Sequence, residues 1–556
     1  MEDLKIYCKN TQEYIDVDGG ESLLSVFGTL KARIGHDAIC AKVNNVTEDL
    51  STRIYKPMHV EFMSFLSPEG FRVYINSLCM ILYKAIHDLY PGRRLKISHS
   101  ISNGYYCIFK HEKEPISADV ISAIKAQMRK IVDADLPFVR RERLTADVKE
   151  MMSQQGMPDK VRLLNTSHSL YTSYYKLGDV IDSYYGPLAP SAGYITTFDL
   201  VSYNNAMLLL GPNKKSPCEP CKPVKMKKMF KAFTDYVDFN CIVSICDVGE
   251  LNEAIKGHNV PLMINVAEAL HNKMFAKIAD DIAARYKKGG ARVILLAGPS
   301  SSGKTTSAMR LSIQLITDYI VPKMISLDNY FVDRKHTPLD EDGDLDYESL
   351  YALDLKQLNQ DLKDLLAGKE VKMPTYNFVT GEREYSGETL KLNEGEVLLL
   401  EGIHGLNPEL TKQIPEELKY RIYVSALTTL NIDDHNWIPT SDNRLLRRIV
   451  RDTKYRKISA QETISRWDKV RRGEEKWIFP YQENADAMFN SSLIFELAVM
   501  KNQAERVLRQ IPVNVPEYSE ANRLLRFLEH FEPLNEDEIP STSLLREFLG
   551  GGIFHY

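Results

Sequence analysis

At 556 residues the chain is too long for one ordinary hydrophobic core, and about three or four domains are expected. It is 44% hydrophobic and 26% charged with a formal net charge of −5, a globular composition that gives no global electrostatic case for a nucleic-acid or membrane partner. No apolar run approaches the roughly 18–20 residues that cross a bilayer, and the polar opening MEDLKIYCKNTQEYID lacks a signal-peptide core, so a cytoplasmic location is expected.

Residues 1–65 alternate short strand patterns (Lys5 to Tyr7, Ala38 to Val43, His59 to Phe62) with a helical stretch from Leu23 to Ile34, which predicts a small α+β domain. Residues 66–235 combine a helical pattern, Phe71 to Tyr90, with strands and a surface loop over Pro212 to Pro223. That loop holds Cys218 and Cys221, half of a zinc pattern with no second pair nearby, so metal binding there stays open. The other cysteines, among them Cys79, Cys241 and Cys246, sit in apolar runs and read as buried, reduced thiols. Lys222, Lys225, Lys227, Lys228 and Lys231 form a local basic patch that suits either RNA phosphates or plain solvent.

Residues 236–290 read as a connector containing a long amphipathic helix over 264–286, stopped by Gly289 and Gly290. From 291 to 500, short apolar strands alternate with helices. The strands are expected at Val293 to Ala297, Lys323 to Leu327, Val397 to Leu400, Arg421 to Val424 and Ser492 to Phe495. This predicts an α/β domain with a mostly parallel, doubly wound sheet. Residues 501–556 form a helical tail ending in SLLREFLGGG.

The first expected strand of that sheet runs into GPSSSGKTT, residues 298–306, with a helix predicted from Ser307 to Ile316. Gly298, four free positions, Gly303, Lys304 and Thr305 complete the phosphate-loop pattern. Backbone N–H groups of Pro299-Ser300-Ser301-Ser302-Gly303, where present, and those of Thr305 and Thr306 can converge on phosphate oxygens, Lys304 adds charge, and the Thr305 hydroxyl can ligate magnesium.

Asp328, at the end of the second expected strand, lies where a carboxylate can take the proton of an attacking hydroxyl. Glu401, closing VLLLEG, suits a carboxylate that holds magnesium through water. Arg444, Arg447, Arg448 and Arg451 recur at one helical face, and four like charges there would be relieved by a polyphosphate under a closing lid.

With these pieces in order, residues 291–500 resemble the uridine kinase and phosphoribulokinase family, and most closely uridine–cytidine kinases, through GPSSSGKTT, LDNYF, MPTYNFVTGER, VLLLEGIHGL and RLLRRIVRD. The resemblance implies ATP- or GTP-dependent phosphorylation of a nucleoside 5′-hydroxyl, with uridine or cytidine as acceptor and Mg2+ as cofactor. It gives Asp328 as general base, Asp346 at the ribose hydroxyls, Tyr376 and Phe378 lining the nucleoside pocket with Arg383 beside them, Arg444 near the acceptor, and Arg447 and Arg451 on the phosphates. One position departs: where the family often places a base-reading histidine, this chain has Gly381.

Residues 1–65 also resemble the TGS module of threonyl-tRNA synthetase, and residues 66–190 its editing domain, through YKAIHDLYPGRRLKISHSISNGYYCIF and VIDSYYGP. The positions of the editing domain's His/His and Cys/His pairs hold Asn76, Met80, Tyr184 and Leu188. Methionine and leucine cannot act as base or hard-metal ligand, so no ester hydrolysis is expected. The alternatives to a nucleoside kinase are an RNA- or ribosome-associated regulatory NTPase and a kinase of another nucleoside or a sugar phosphate. A homo-oligomer stays open.

Overall fold

The computed structural model describes residues 4–257 and 259–555. The N-terminal sheet has the order Glu13–Val17, Leu4–Cys8, His59–Met63, Cys40–Val43, Val46–Glu48. The helix Leu23–Ile34 covers it with Leu23, Val26, Phe27 and Leu30. Ser22 caps that helix by accepting from the Ser25 N–H, and Gly35 ends it in the left-handed conformation.

The helix Pro68–Leu89 starts with proline in its first turn, behind the cap Ser67, and is buried along most of its length. Around it stand an antiparallel sheet of Leu95–Ile101, Gly104–Phe109, Asp199–Tyr203 and Ala206–Leu210, and a smaller one of Val139–Leu144, Tyr171–Leu177 and Val180–Asp182. The expected loop at Pro212 to Pro223 is a small hairpin instead, pairing Pro212–Asn213 with Ser216–Pro220. Cys8, Cys40, Cys79 and Cys107 are buried, as apolar thiols should be. Cys241 is exposed and Cys246 half-buried, because the helix Lys227–Ile242 ends there and turns its last residues outward.

The C-terminal sheet has five strands, all parallel: β1 (Val293–Ala297), β2 (Val321–Ser326), β3 (Glu396–Glu401), β4 (Lys419–Ser425) and β5 (Ala487–Asn490), in the order β2-β3-β1-β4-β5. Every residue of β1 is buried, as a central strand covered on both faces requires. The last strand lies ahead of its expected place at Ser492 to Phe495. Those residues form the turn that leads into the helix Glu496–Leu508, whose sequence ELAVMKNQAERVL favours helix.

Helices α1 (Lys304–Thr317), α2 (Thr440–Arg451), α3 (Ala460–Trp477), α4 (Glu496–Leu508) and α5 (Arg546–Leu549) complete this half. Two of the expected boundaries coincide with helices. The residue 235/236 boundary falls inside Lys227–Ile242 and the 500/501 boundary inside α4. The supposed connector is part of the C-terminal core: Phe275, Ile278, Ala279 and Ile282 of the helix Val260–Tyr286 pack on Ile294, Leu296 and Leu311. The tail is core as well, since Leu524, Phe527, Leu528, Leu545 and Leu549 pack with Leu445, Leu446 and Ile449 of α2.

Candidate active site

The loop between β1 and α1 lies at the carboxyl end of the sheet, where parallel strands place ligands. Gly298 runs against β4, and a Cβ there would collide with the Val424 carbonyl oxygen. Gly303 has φ +79, the left-handed turn that starts the helix. The Pro299 carbonyl accepts from the Ser302 N–H at 3.3 Å and from Lys304 Nζ at 3.2 Å, so the lysine folds over the loop. The Ser300 N–H donates to Glu474 Oε1 at 3.1 Å, and the Ser491 hydroxyl donates to the Ser302 carbonyl at 2.5 Å. The Ser301 and Ser302 hydroxyls are buried without a hydrogen-bond partner among the described residues.

Two carboxylates face this loop. Glu401 ends β3 in register with Ser326 of β2, and Thr305, at the start of α1, helps to hold its pKa down. Burial pushes Glu401 up to about 7; Lys304 opposes this, while Asp328 and Glu547 add to it. Asp328 sits in the 3-10 turn Leu327–Tyr330 just past β2, with a side open to solvent. The protein mass around it raises its pKa against the pull of Lys304 and Arg456. A threonine hydroxyl and two carboxylates offer only oxygen donors, the set a hard divalent cation such as Mg2+ prefers. Thr305 and Glu401 thus fit such an ion, which would neutralise phosphate charge when bound, and Asp328 is left for the acceptor side.

On the other flank the hairpin of Thr375–Asn377 and Glu382–Glu384 carries Tyr376, buried, and Phe378, 61% exposed. Their ring centroids lie 5.1 Å apart at an edge-on angle, and Phe331 meets them at 5.5 and 6.2 Å. The Tyr376 hydroxyl is buried with no hydrogen bond among the described residues. Asp346 is half-buried and accepts from the Glu348 N–H at 3.1 Å. Arg383 forms an ion pair with Asp354 at 3.0 Å. Gly381 has φ +76 and lies under Arg334: a Cβ there would stand 2.7 Å from Arg334 Nε. Arg334 therefore fills the space in which a side chain at 381 would stand.

The arginine helix departs from expectation. Its cations do not wait uncompensated, and α2 is a packed core helix rather than a lid. Arg444, 1% exposed, is clamped bidentately by Glu474 and donates to the Ser300 carbonyl at 3.1 Å. Arg447, fully buried, is paired with Glu496 and donates to the Ser491 carbonyl at 2.8 Å. An arginine so enclosed braces the loop from behind, which corrects its expected place on the phosphates. Arg451 pairs with Asp452 at 2.7 Å, and Arg448 and Arg456 reach the same carboxylate at 3.3 and 3.7 Å. Three cations on one acid leave an excess of two positive charges beside the loop, where Arg448 Nη1 donates to the Ser300 hydroxyl at 3.0 Å.

Glu474, Arg334, Arg456 and Glu547 were not singled out in the sequence, and nothing local marks them; Phe331 stood only inside the LDNYF motif. Of the basic patch, Lys228 is tied to the carbonyls of Glu483 and Ala485, and Lys231 to Asp235.

The four positions Asn76, Met80, Tyr184 and Leu188 lie on the buried side of the helix Pro68–Leu89 and the segment after Val180–Asp182, with Met80 and Leu188 fully buried. Beside them Lys160 Nζ binds Asp182 at 2.8 Å and lies 5.8 Å from the Tyr184 ring. The segment 430–437, between β4 and α2, inserts here. Asp433 reaches Lys160 at 3.0 Å, His435 Nδ1 reaches Asp182 at 2.7 Å, and Asp434 binds Arg94 and Lys110, both at 2.7 Å.

Comparison with known proteins finds two kinds of relative. Residues 293–494 match the profile of the phosphoribulokinase / uridine kinase family, so the C-terminal region has the make-up of a P-loop kinase. The N-terminal part is similar to threonine–tRNA ligases. That of Carboxydothermus hydrogenoformans is 31% identical over 184 residues, covering 33% of this chain and 29% of the ligase. That of Oleidesulfovibrio alaskensis is 34% identical over 140 residues, 25% of this chain and 22% of the ligase. The chain thus spans under a third of the length of these relatives. Among solved structures, one titled a possible uridine kinase from Bacillus stearothermophilus aligns over 38% of this chain and 97% of its own, at 19% identity and a TM-score of 0.26. Among the described residues no helix is long and apolar enough to cross a membrane.

Proposed function

We propose that this protein transfers the γ-phosphate of ATP or GTP to the 5′-hydroxyl of a nucleoside, with uridine or cytidine as the leading acceptor. The observation that carries this reading is the pair of carboxylates, Asp328 and Glu401, ending adjacent strands beside Lys304, with the Phe331, Tyr376 and Phe378 rings on the acceptor side.

Asp328 accepts the hydroxyl proton as the acceptor oxygen attacks, and its raised pKa strengthens it as a base. Lys304 and the cationic cluster of Arg448, Arg451 and Arg456 stabilise charge on the transferred group. Thr305 and Glu401 would hold Mg2+, which when bound would supply charge neutralisation to the phosphates. Tyr376 and Phe378 offer flat faces for a base, and Asp346 accepts from neighbouring ribose hydroxyls. The N-terminal half serves as a non-hydrolytic partner, since Met80 and Leu188 supply no base.

The test is ATP consumption by the full chain across a panel of nucleosides and sugar phosphates. Turnover that depends on a pyrimidine nucleoside supports the reading. Turnover stimulated by RNA and indifferent to any acceptor would favour a regulatory NTPase.

A further inference from the structure

The C-terminal segment lies on the phosphate loop itself. Leu544 packs over Gly303 so closely that a Cβ on the glycine would stand 2.6 Å from Leu544 Cδ2. The Phe548 ring lies 5.0 Å from the Arg447 guanidinium, and Leu544 and Phe548 share a core with Ala308 and Leu311 of α1. Lys454, in the turn after α2, holds the segment by donating to the Leu549 carbonyl.

Between these anchors Glu547 turns its carboxylate toward the start of α1. One oxygen accepts from the Thr306 hydroxyl at 2.6 Å and from the Thr306 N–H at 3.3 Å. Thr306 is the third residue of α1, so its N–H is one of the donors the helix ladder leaves unused. Such donors, with the positive end of the helix dipole behind them, are what a phosphate loop offers to phosphate oxygens. Glu547 is nearly buried, has no ion-pair partner among the described residues, and lies close enough to Glu401 to help raise its pKa. A carboxylate and a phosphate oxygen cannot occupy the same donors, and two anions side by side in a low-dielectric cleft repel strongly.

We propose that Glu547 is a tethered competitor of the nucleotide. It occupies with its carboxylate the Thr306 donors of the phosphate loop, and the triphosphate engages the whole loop only when the segment Leu544–Leu549 gives way. This rests on the reading that the loop binds a nucleoside triphosphate. It adds a control on donor entry that is built into the chain.

The test is calorimetric titration of a non-hydrolysable ATP analogue with Mg2+, without acceptor, into the full-length wild type, Glu547→Gln and Glu547→Ala, with adenosine as a phosphate-free control. Thermal melting shows that each variant is folded, and Glu547→Gln keeps the side-chain shape should Glu547→Ala fail to fold. The expected result is a tenfold or greater gain in affinity for the analogue and none for adenosine. Binding by the variants alone, with a silent wild type, supports the proposal equally. Unchanged or weaker analogue binding overturns it, as would an equal gain for adenosine or no analogue binding by any of the three. Because no acceptor is present, failure of the nucleoside-kinase reading leaves this outcome untouched.

Discussion

Lys160 Nζ and Asp433 Oδ2 meet at 3.0 Å in the interior, joining the N-terminal half to the segment that leads into the arginine helix. The same ammonium binds Asp182, and His435 reaches Asp182 from the other side. Asn436 adds a hydrogen bond to the Ser183 carbonyl at 3.0 Å, and Asn431 one to the Ile97 carbonyl at 2.7 Å. The neighbourhood in which the synthetase resemblance would place hydrolytic residues is therefore filled by the kinase side of the same chain. Burial of so many polar groups is tolerated because they are matched.

Removing Lys160 should show this. Lys160→Met leaves Asp182 and Asp433 buried without their shared cation, and breaking such a pair from one side costs about 3–5 kcal/mol. Urea unfolding of the variant should shift accordingly, with both halves loosening together. A loss under about 1 kcal/mol would mean that water replaces the ammonium.

The same cluster predicts a pH dependence. Burial pulls His435 down, but the charge and hydrogen bond of Asp182 outweigh it and hold its pKa above 6.5, with Lys160 opposing and Asp159 assisting. A histidine whose folded pKa is raised stabilises the fold fully below its unfolded value and loses that contribution as pH rises through the folded value. The stability difference between wild type and His435→Gln should therefore shrink as pH rises above about 6.5. Chemical denaturation at half-unit pH steps measures it; a difference that grows with pH would contradict the protonated imidazole.

How much of this was open to sequence reading divides by the range of the interactions. The phosphate loop, four of the five parallel strands and the Asp328, Thr305 and Glu401 set follow from local patterns: apolar runs, a glycine spacing, an acid at a strand end. The fifth strand was misplaced because AMFN and SLIF are equally apolar, and only the start of α4 at Glu496 decides between them. The arginine face was read as unpaired because Glu474 and Glu496 are distant in sequence from Arg444 and Arg447, by 30 and 49 residues. The insertion of 430–437 and the contact of Glu547 with Thr306 join segments hundreds of residues apart, and no periodicity reports them.

The different surroundings of the arginines separate two kinds of substitution. Arg447→Ala strands Glu496 in the interior and should cost about 3–5 kcal/mol of stability. Arg448→Ala removes one of three cations sharing Asp452 and should leave melting within a few degrees of wild type while weakening triphosphate binding about tenfold, since hydrogen bonds to charged groups contribute ~1.5–3 kcal/mol. Melting curves beside nucleotide titrations distinguish the two. Equal loss of stability in both would remove Arg448 from the donor site.

For the chemical step, Asp328→Asn keeps the shape of the side chain and removes the base. Turnover should fall by about 10²–10⁴, the usual contribution of a positioned general base. Donor binding should survive, because Lys304 and the loop are intact. Lys304→Ala should lose both binding and turnover. Full activity in Asp328→Asn would move the base assignment elsewhere.

The acceptor side turns on Arg334. Its N–H donates to the Gly381 carbonyl at 2.8 Å and its Nη2 donates to the Phe378 carbonyl at 2.9 Å, so it stiffens the turn that presents the aromatic pair. Gly381 cannot be replaced freely: a histidine there would carry a Cβ into the guanidinium and adopt φ +76, a conformation non-glycine residues seldom take. Arg334→Ala should therefore raise the acceptor KM several-fold while leaving the donor KM unchanged, and Gly381→His should be tolerated only together with Arg334→Ala. Steady-state kinetics with each substrate varied in turn provide the check. A change confined to the donor KM would detach Arg334 and the hairpin from the acceptor pocket.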